Sequence, residues 1–323
     1  MRIWIALLLS SALGVALAPV PAHAAVPVGI VVNPFNGDRA GPEMDGDAQA
    51  MLDGGLAAVI EAAGGRVASI QTVALTAEDE RQYGRWNRFG LASGHLAGHA
   101  AQHAAAGLIN LGLYNNCSSL LGMLGGLRHA TATPRRVGLV WIDAHGDYNT
   151  PETTLSGMLG GMPVAIAAGD ALQRMREQAR LDQPIAKADI VMVGVRDTDP
   201  LEQQRIDADG IAQLSVADVR SLGEGFHAAL AELTARTDVV YVHVDLDVLD
   251  PSVIPGHPLT VPDGPTGAEL GAAIEAMFRY PKTEALGLAS YPHQDDPAGV
   301  TMAAIRQLVA GAVRGAANRG GRP

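Results

Sequence analysis

The sequence predicts a single large α/β domain built on a mostly parallel sheet. One reason is the alternation along the chain of short apolar runs, each the length of one buried strand, with longer helix-like segments. A second is that two of those runs end alike. Val137 to Ile142 stops at Asp143-Ala144-His145-Gly146-Asp147, and Val239 to Val244 stops at Asp245-Leu246-Asp247. Open α/β sheets collect their ligands at the carboxyl ends of strands, so both triplets fall where such a sheet places a site. A third is size: 323 residues with 48% hydrophobic content can bury one large core.

The chain begins with the pattern of an export signal. Arg2 gives a positive start, Ile3 to Leu17 is apolar, and Ala22-His23-Ala24 is a small-x-small cleavage site. Residues 1–24 are thus expected to be removed, leaving a mature domain at 25–323 that is periplasmic or secreted. The apolar run is short for a membrane span and is followed by Pro19 and Pro21, so no stable membrane anchor is expected. Cys117 is the single cysteine, which rules out an internal disulfide. Net charge is −11 without a basic run, and aromatics are 4%, which argues against nucleic acid as partner.

Pro27 to Val32 reads as the first strand, followed by a loop at 33–38. Gly41-Pro42 opens a helix expected to run to about Ala63 and stop at Gly64-Gly65. Arg66 to Thr72 is a second strand. A helix from about Arg88 to Ala106 carries His95, His99 and His103 on one face. No carboxylate shares that face, so these histidines read as a helix side rather than a metal clip. Gly107 to Gly112 is a third strand leading to Cys117. The helix after it, Leu120 to about His129, ends in a histidine suited to its C-terminal dipole. Beyond the first triplet, Gly157 to Ala168 reads as a small-residue helix.

Asp189 to Gly194 is the next strand. It ends in Arg196-Asp197-Thr198-Asp199-Pro200, where Arg196 suits an ion pair and Asp199 a helix cap. Ile211 to Val216 is a short edge strand, and Ala217 to Arg236 a helix broken near Gly223–Gly225. His257, in a loop rich in Pro and Gly, could reach the cleft but reads first as a surface histidine. Thr266 caps a helix to Phe278, Leu286 to Ala289 is the last strand, and residues 297–315 form the closing helix.

Residues two apart in an extended segment point the same way. Asp143, His145 and Asp147 can therefore converge, and Asp245 and Asp247 can meet them from a neighbouring strand. Such a cluster repels itself without a cation, and mixed oxygen and imidazole donors suit Mn, Fe, Ni, Co or Zn. Carboxylates that bridge two metals create a centre in which water becomes hydroxide near neutral pH.

At these positions the chain resembles the arginase/agmatinase (ureohydrolase) superfamily from about Val26 onward. The resemblance rests on Asp143-Ala144-His145-Gly146-Asp147-Tyr148-Asn149-Thr150-Pro151, on Ser156-Gly157 and Gly161-Met162-Pro163, and on Asp245-Leu246-Asp247-Val248-Leu249-Asp250-Pro251. It implies a three-layer αβα fold with about eight strands and a binuclear centre, with Mn as the metal. Asp143 and Asp245 would bridge the metals, and His145 and Asp247 would hold one of them. Asp147 and Cys117 would hold the other, with Asp147 also the catalytic proton relay. Asn149, Ser156, Asp197, Asp199 and Ser290 fall on the substrate side, with Glu202 beside them.

The chain also departs from the family pattern. Cys117 stands where the family carries a histidine ligand, which opens the site to Zn, Ni or Fe. Met158 replaces an asparagine that contacts the substrate carboxylate, Gly160 a histidine, and Ser290 a glutamate that pairs with the guanidinium. The resemblance therefore implies a metal-dependent hydrolase of a non-peptide C–N bond in a small amidine or guanidino compound, and not a true arginase. Two alternatives stay open: a mononuclear amide deacylase similar to histone deacetylase relatives, and a non-catalytic exported metal- or ligand-binding protein. Partners are a small-molecule substrate and, as an open option, further copies in a homo-oligomer.

Overall fold

The computed structural model describes residues 24–36 and 47–319. Eight strands form one sheet: β1 Val26–Asn33, β2 Gly65–Thr72, β3 Ile109–Tyr114, β4 Val137–Ile142, β5 Ile190–Val193, β6 Ala212–Leu214, β7 Val239–Asp245 and β8 Thr283–Ala289. Their order is β2-β1-β3-β8-β7-β4-β5-β6, and every pairing is parallel. The inner strands β3, β4, β5 and β7 are buried along their whole length because both faces are covered, as a parallel sheet requires, whereas the edge strands β2 and β6 are partly exposed.

Side chains alternate between two separate cores. Val140 and Ile142 of β4 and Val240, Val242 and Val244 of β7 join one core. Leu139, Trp141 and Tyr241 join the other. Helices Asp47–Asp53, Leu56–Ala62, Glu224–Arg236, Gly267–Phe278 and Val300–Ala317 cover the first face. Helices Arg85–Ala105, Leu120–Arg128, Pro163–Ala168 and Gln173–Gln178 cover the second. The expected three-layer αβα fold is observed.

Close helix contact on the first face depends on glycine. A Cβ on Gly311 would lie 2.2 Å from the Gly271 carbonyl oxygen. Alanine would gain about 1 kcal/mol of helix propensity, but overpacking costs about 1–3 kcal/mol, and a backbone oxygen cannot rotate away. Gly311→Ala is therefore expected to lower the urea midpoint of unfolding; an unchanged midpoint would show that the two helices part freely.

Several local expectations are corrected. The helix expected from Gly41-Pro42 begins outside the described residues. Its described part is broken at Gly54-Gly55, where Gly55 is left-handed at φ 81 and Gly54 packs against Met302. The expected helix from Gly157 to Ala168 is instead a loop, a 3-10 turn at Leu159–Gly161 and a helix at Pro163–Ala168. Proline at the first helical position starts the helix and disfavours helical backbone in the residue before it.

The histidine stripe does have a carboxylate neighbour: Asp79, from the preceding short helix, meets His95 Nε2 at 2.9 Å. His103 is buried against Asn110 at 3.2 Å. Thr266 forms a full capping box with Glu269, as its position predicted. Among the described residues, no helix is long and apolar enough to cross a membrane. The export segment lies outside the described residues, apart from Ala24.

Candidate metal centre

The register of β4 on β7 builds the site. Ile142 pairs with Val244, so Asp143 and Asp245 leave the sheet side by side. The first turn is fixed by its own acid: Asp143 Oδ1 accepts from the His145 amide at 2.7 Å. Asp147 then takes a left-handed conformation, φ 47, a strained backbone for a non-glycine residue. Glu202 holds this bend. Its Oε1 accepts from Tyr148 N at 2.7 Å and its Oε2 from Asp199 N at 3.1 Å. Tyr148 OH is anchored below by donation to Asp209 at 2.8 Å and Asp170 at 3.1 Å.

The second triplet is tied to the first. Asp247 Oδ1 accepts from Ala144 N at 3.4 Å, and Asp245 Oδ1 accepts from Asp247 N at 3.1 Å. Asp245 Oδ2 receives the Cys117 thiol at 2.7 Å and the Ser290 hydroxyl at 2.9 Å. His145 Nδ1 lies 3.3 Å from Asp143 Oδ1 and 3.2 Å from Asp247 Oδ2.

The electrostatics are those of crowded buried acids. Burial, then the charges of Asp247, Asp147 and Asp245, push Asp143 well above the usual carboxylate range. Burial and the charge of Asp245 do the same to Asp147. Asp245 is pushed up to about 7 by burial and by Asp247. Asp247 also feels burial, but its bond to His145 and the imidazolium charge outweigh it and hold it below the usual value. Burial opposes charge on His145, yet its bonds to Asp143 and Asp247 raise it to about 12. Burial and the neighbouring acids also push the Cys117 thiol up.

The donors suit a divalent cation. Asp143 is 1% exposed, and its Oδ2 is buried without a hydrogen-bond partner, an arrangement that costs free energy unless something positive meets it. Two groups have ligand atoms within 4.8 Å of one another: Asp143, His145 and Asp247, and Asp245, Asp247 and His257.

A pH dependence follows for the metal-stripped protein. An unfolded aspartate titrates near about 3.9, whereas Asp245 holds its proton to about 7 in the fold. Between these values Asp245 is more protonated in the fold than in the unfolded chain, so its contribution to stability falls as pH rises; buried His243, pushed down to about 3, acts in the opposite direction but is outnumbered by the acids. Asp143 and Asp147 act in the same direction as Asp245. The downward-shifted Asp247 contributes stability that is already in place above the unfolded value. Thermal melts in chelator should give a lower Tm at pH 7 than at pH 5; a higher Tm at pH 7 would contradict this charge crowding.

The expected residues gather as follows. Cys117, His145, Asp147, Asn149, Ser156, Asp197, Asp199, Asp245, Asp247 and Ser290 line one cleft of about 320 Å³, and Asp143 is buried beneath it. Several of these are occupied with local structure. Asn149 donates to Asp199 at 3.1 Å and accepts from Thr153 at 2.9 Å. Ser156 Oγ accepts from Met158 N at 3.2 Å. Asp197 forms a strand-like bridge with His145.

Two readings are corrected. Among the described residues Arg196 makes no ion pair; its guanidinium donates to the carbonyls of Gly194, Val248, Val261 and Pro262 at 2.8–3.1 Å. His257 is not on the surface: it is 8% exposed and lines the cleft. The signal for it was its place in the loop that leaves β7 at the sheet's carboxyl edge.

Comparison with known proteins agrees with this geometry. Residues 24–313 match the model of the Arginase family. The chain is 35% identical to the arginase of Bacillus caldovelox over 56% of its own length and 60% of that protein. It is 35% identical to human arginase-1 over 59% of its own length and 60% of that protein. The matched part thus spans about 60% of these relatives. The solved Bacillus caldovelox arginase superposes with TM-score 0.77 at 27% identity, covering 90% of this chain and 98% of that one. The fold is shared with Bacillus subtilis formimidoylglutamase, at TM-score 0.71 and 15% identity over 91% of this chain and 88% of that one. On the family match and the site's own residues together, this chain belongs to the arginase family.

Proposed function

We propose that this arginase-family protein is a metal-dependent hydrolase of a non-peptide C–N bond in a small cationic amidine or guanidino compound that lacks a carboxylate. The observation that carries this reading is the convergence of Asp143, His145, Asp147, Asp245 and Asp247 at the ends of β4 and β7. Divalent ions held there, Mn by family likeness and Zn, Ni or Fe if sulfur takes part, would polarise a trigonal carbon and make water a nucleophile near neutral pH.

The protein's own residues do the rest. Asp147, whose left-handed bend is held by the Glu202 brace, would take and return a proton. Asp197 and Asp199 give the cleft wall negative charge, which favours an ammonium or amidinium. Met158, Leu155 and Leu259 supply an apolar side. No Lys or Arg lines the cleft among the described residues, so a substrate carboxylate would find no cation there. Ser290 gives its hydrogen to Asp245 and brings no negative charge of its own.

A narrower reading has one metal on Asp143, His145 and Asp247, as in an amide deacylase. It is favoured by the thiol of Cys117 lying on Asp245 as a donor. Metal content per chain, with an amine-release screen over guanidines, formimino compounds and acylated amines, separates the two. About two metals with turnover of a guanidine supports the first reading; about one metal with deacylation supports the second; no metal and no turnover would remove both. Export to the periplasm or medium is part of the proposal. Sequencing of the soluble protein should begin at Ala25, and an intact Met1 or Arg2 would contradict export.

A further inference from the structure

The resemblance assigned the second metal position to Cys117, and the geometry points elsewhere. We propose that His257 completes the second cation position together with Asp245 and Asp247, and that Cys117 is not a ligand. This rests on the metal-dependent reading above and specifies which residues hold the second ion.

The ligand atoms of Asp245, Asp247 and His257 all lie within 4.8 Å of one another. These side chains are 7%, 2% and 8% exposed, so each is more than nine-tenths buried. An imidazole buried beside two acids is a donor set that suits a divalent transition ion.

The loop that brings His257 inward is fastened. Arg196 donates to Val248 O at 3.1 Å before His257, and to Val261 O at 2.8 Å and Pro262 O at 2.9 Å after it. One guanidinium thus clamps both arms of the loop. Asp250 N donates to Pro265 O at 3.1 Å and closes its base. The clamp explains why a loop rich in Pro and Gly holds a buried histidine in place. Leu259 N donates to His257 Nδ1 at 3.3 Å.

Cys117 has a different place. Its Sγ lies 2.7 Å from Asp245 Oδ2 and 3.7 Å from Ser290 Oγ. It belongs to neither group of mutually close ligand atoms. Thiol and hydroxyl both address the same carboxylate oxygen and orient Asp245. The residues that would hold the two cations are then Asp143, His145 and Asp247, and Asp245, Asp247 and His257; the groups share Asp247 and offer nitrogen and oxygen donors only.

The test uses the full chain, stripped with chelator and reloaded with Co(II). Metal content and the absorption spectrum are measured for the wild type, His257→Ala and Cys117→Ser. Expected are about two cobalt ions per wild-type chain, no thiolate-to-cobalt charge-transfer band, a loss of about one ion in His257→Ala, and no loss in Cys117→Ser. A charge-transfer band, or a loss in Cys117→Ser with full content in His257→Ala, would overturn the proposal. Because the band is read on the wild type, the test survives a variant that fails to fold. Wild-type protein that binds no cobalt would remove the metal-dependent reading itself, whereas two ions in both wild type and His257→Ala would remove only the role of His257.

Discussion

Asp247→Ala should reduce turnover by roughly 10³-fold or more and strip the protein of bound metal. Asp247 is the one acid common to both ligand groups, and its Oδ2 also fixes His145 Nδ1 at 3.2 Å. Metal stabilisation of a developing charge is worth several kcal/mol, and each 1.36 kcal/mol is tenfold in rate. Circular dichroism and a melt of the metal-free variant separate this loss from misfolding. Near-normal turnover of the preferred substrate by Asp247→Ala would show that the reaction takes place outside this cluster.

Arginine should be a poor substrate. The described cleft lining contains no Lys or Arg to receive its carboxylate, and Met158 and Gly160 carry no polar side chain toward it. The hydrogen bonds of the carboxylate to a charged partner are left unmade, each at a cost of about 1.5–3 kcal/mol. The expected kcat/KM for arginine is therefore at least roughly 10²-fold below that of the matching guanidine without the carboxylate. Arginine turnover on the order of 10 per second or faster, in the usual enzyme range, would refute this.

Much of the fold was legible because the chemistry of a parallel strand is local. Val137–Ile142 is a continuous apolar run of strand length and residues 239–244 are one broken only by His243, and each ends where acids begin. The Thr266 cap and the helix break before Glu224 were readable from side-chain capping and glycine. What escaped depends on partners distant in sequence. The break at Gly54-Gly55 accompanies the close approach of Met302. Arg196 has acids beside it in sequence, yet it is spent on carbonyls across the loop after β7. His257 sits among Pro and Gly, a composition that reads as exposed turn, and only the clamp and the sheet edge turn it inward. Glu202 read as an acid either beside the substrate or supporting the site; it lines the cleft and braces the Asp147 bend through two backbone amides.

The most direct measurement is calorimetric titration of the metal-stripped protein with Mn(II) at neutral pH. A metal centre built from the buried acids around Asp143 predicts saturable, stoichiometric binding. Protons should be released as the cation replaces them, and Tm should rise by mass action. Titration to millimolar Mn(II), with Zn(II) as a parallel run, that gives only heats of dilution and leaves Tm unchanged would contradict a metal centre at the ends of β4 and β7.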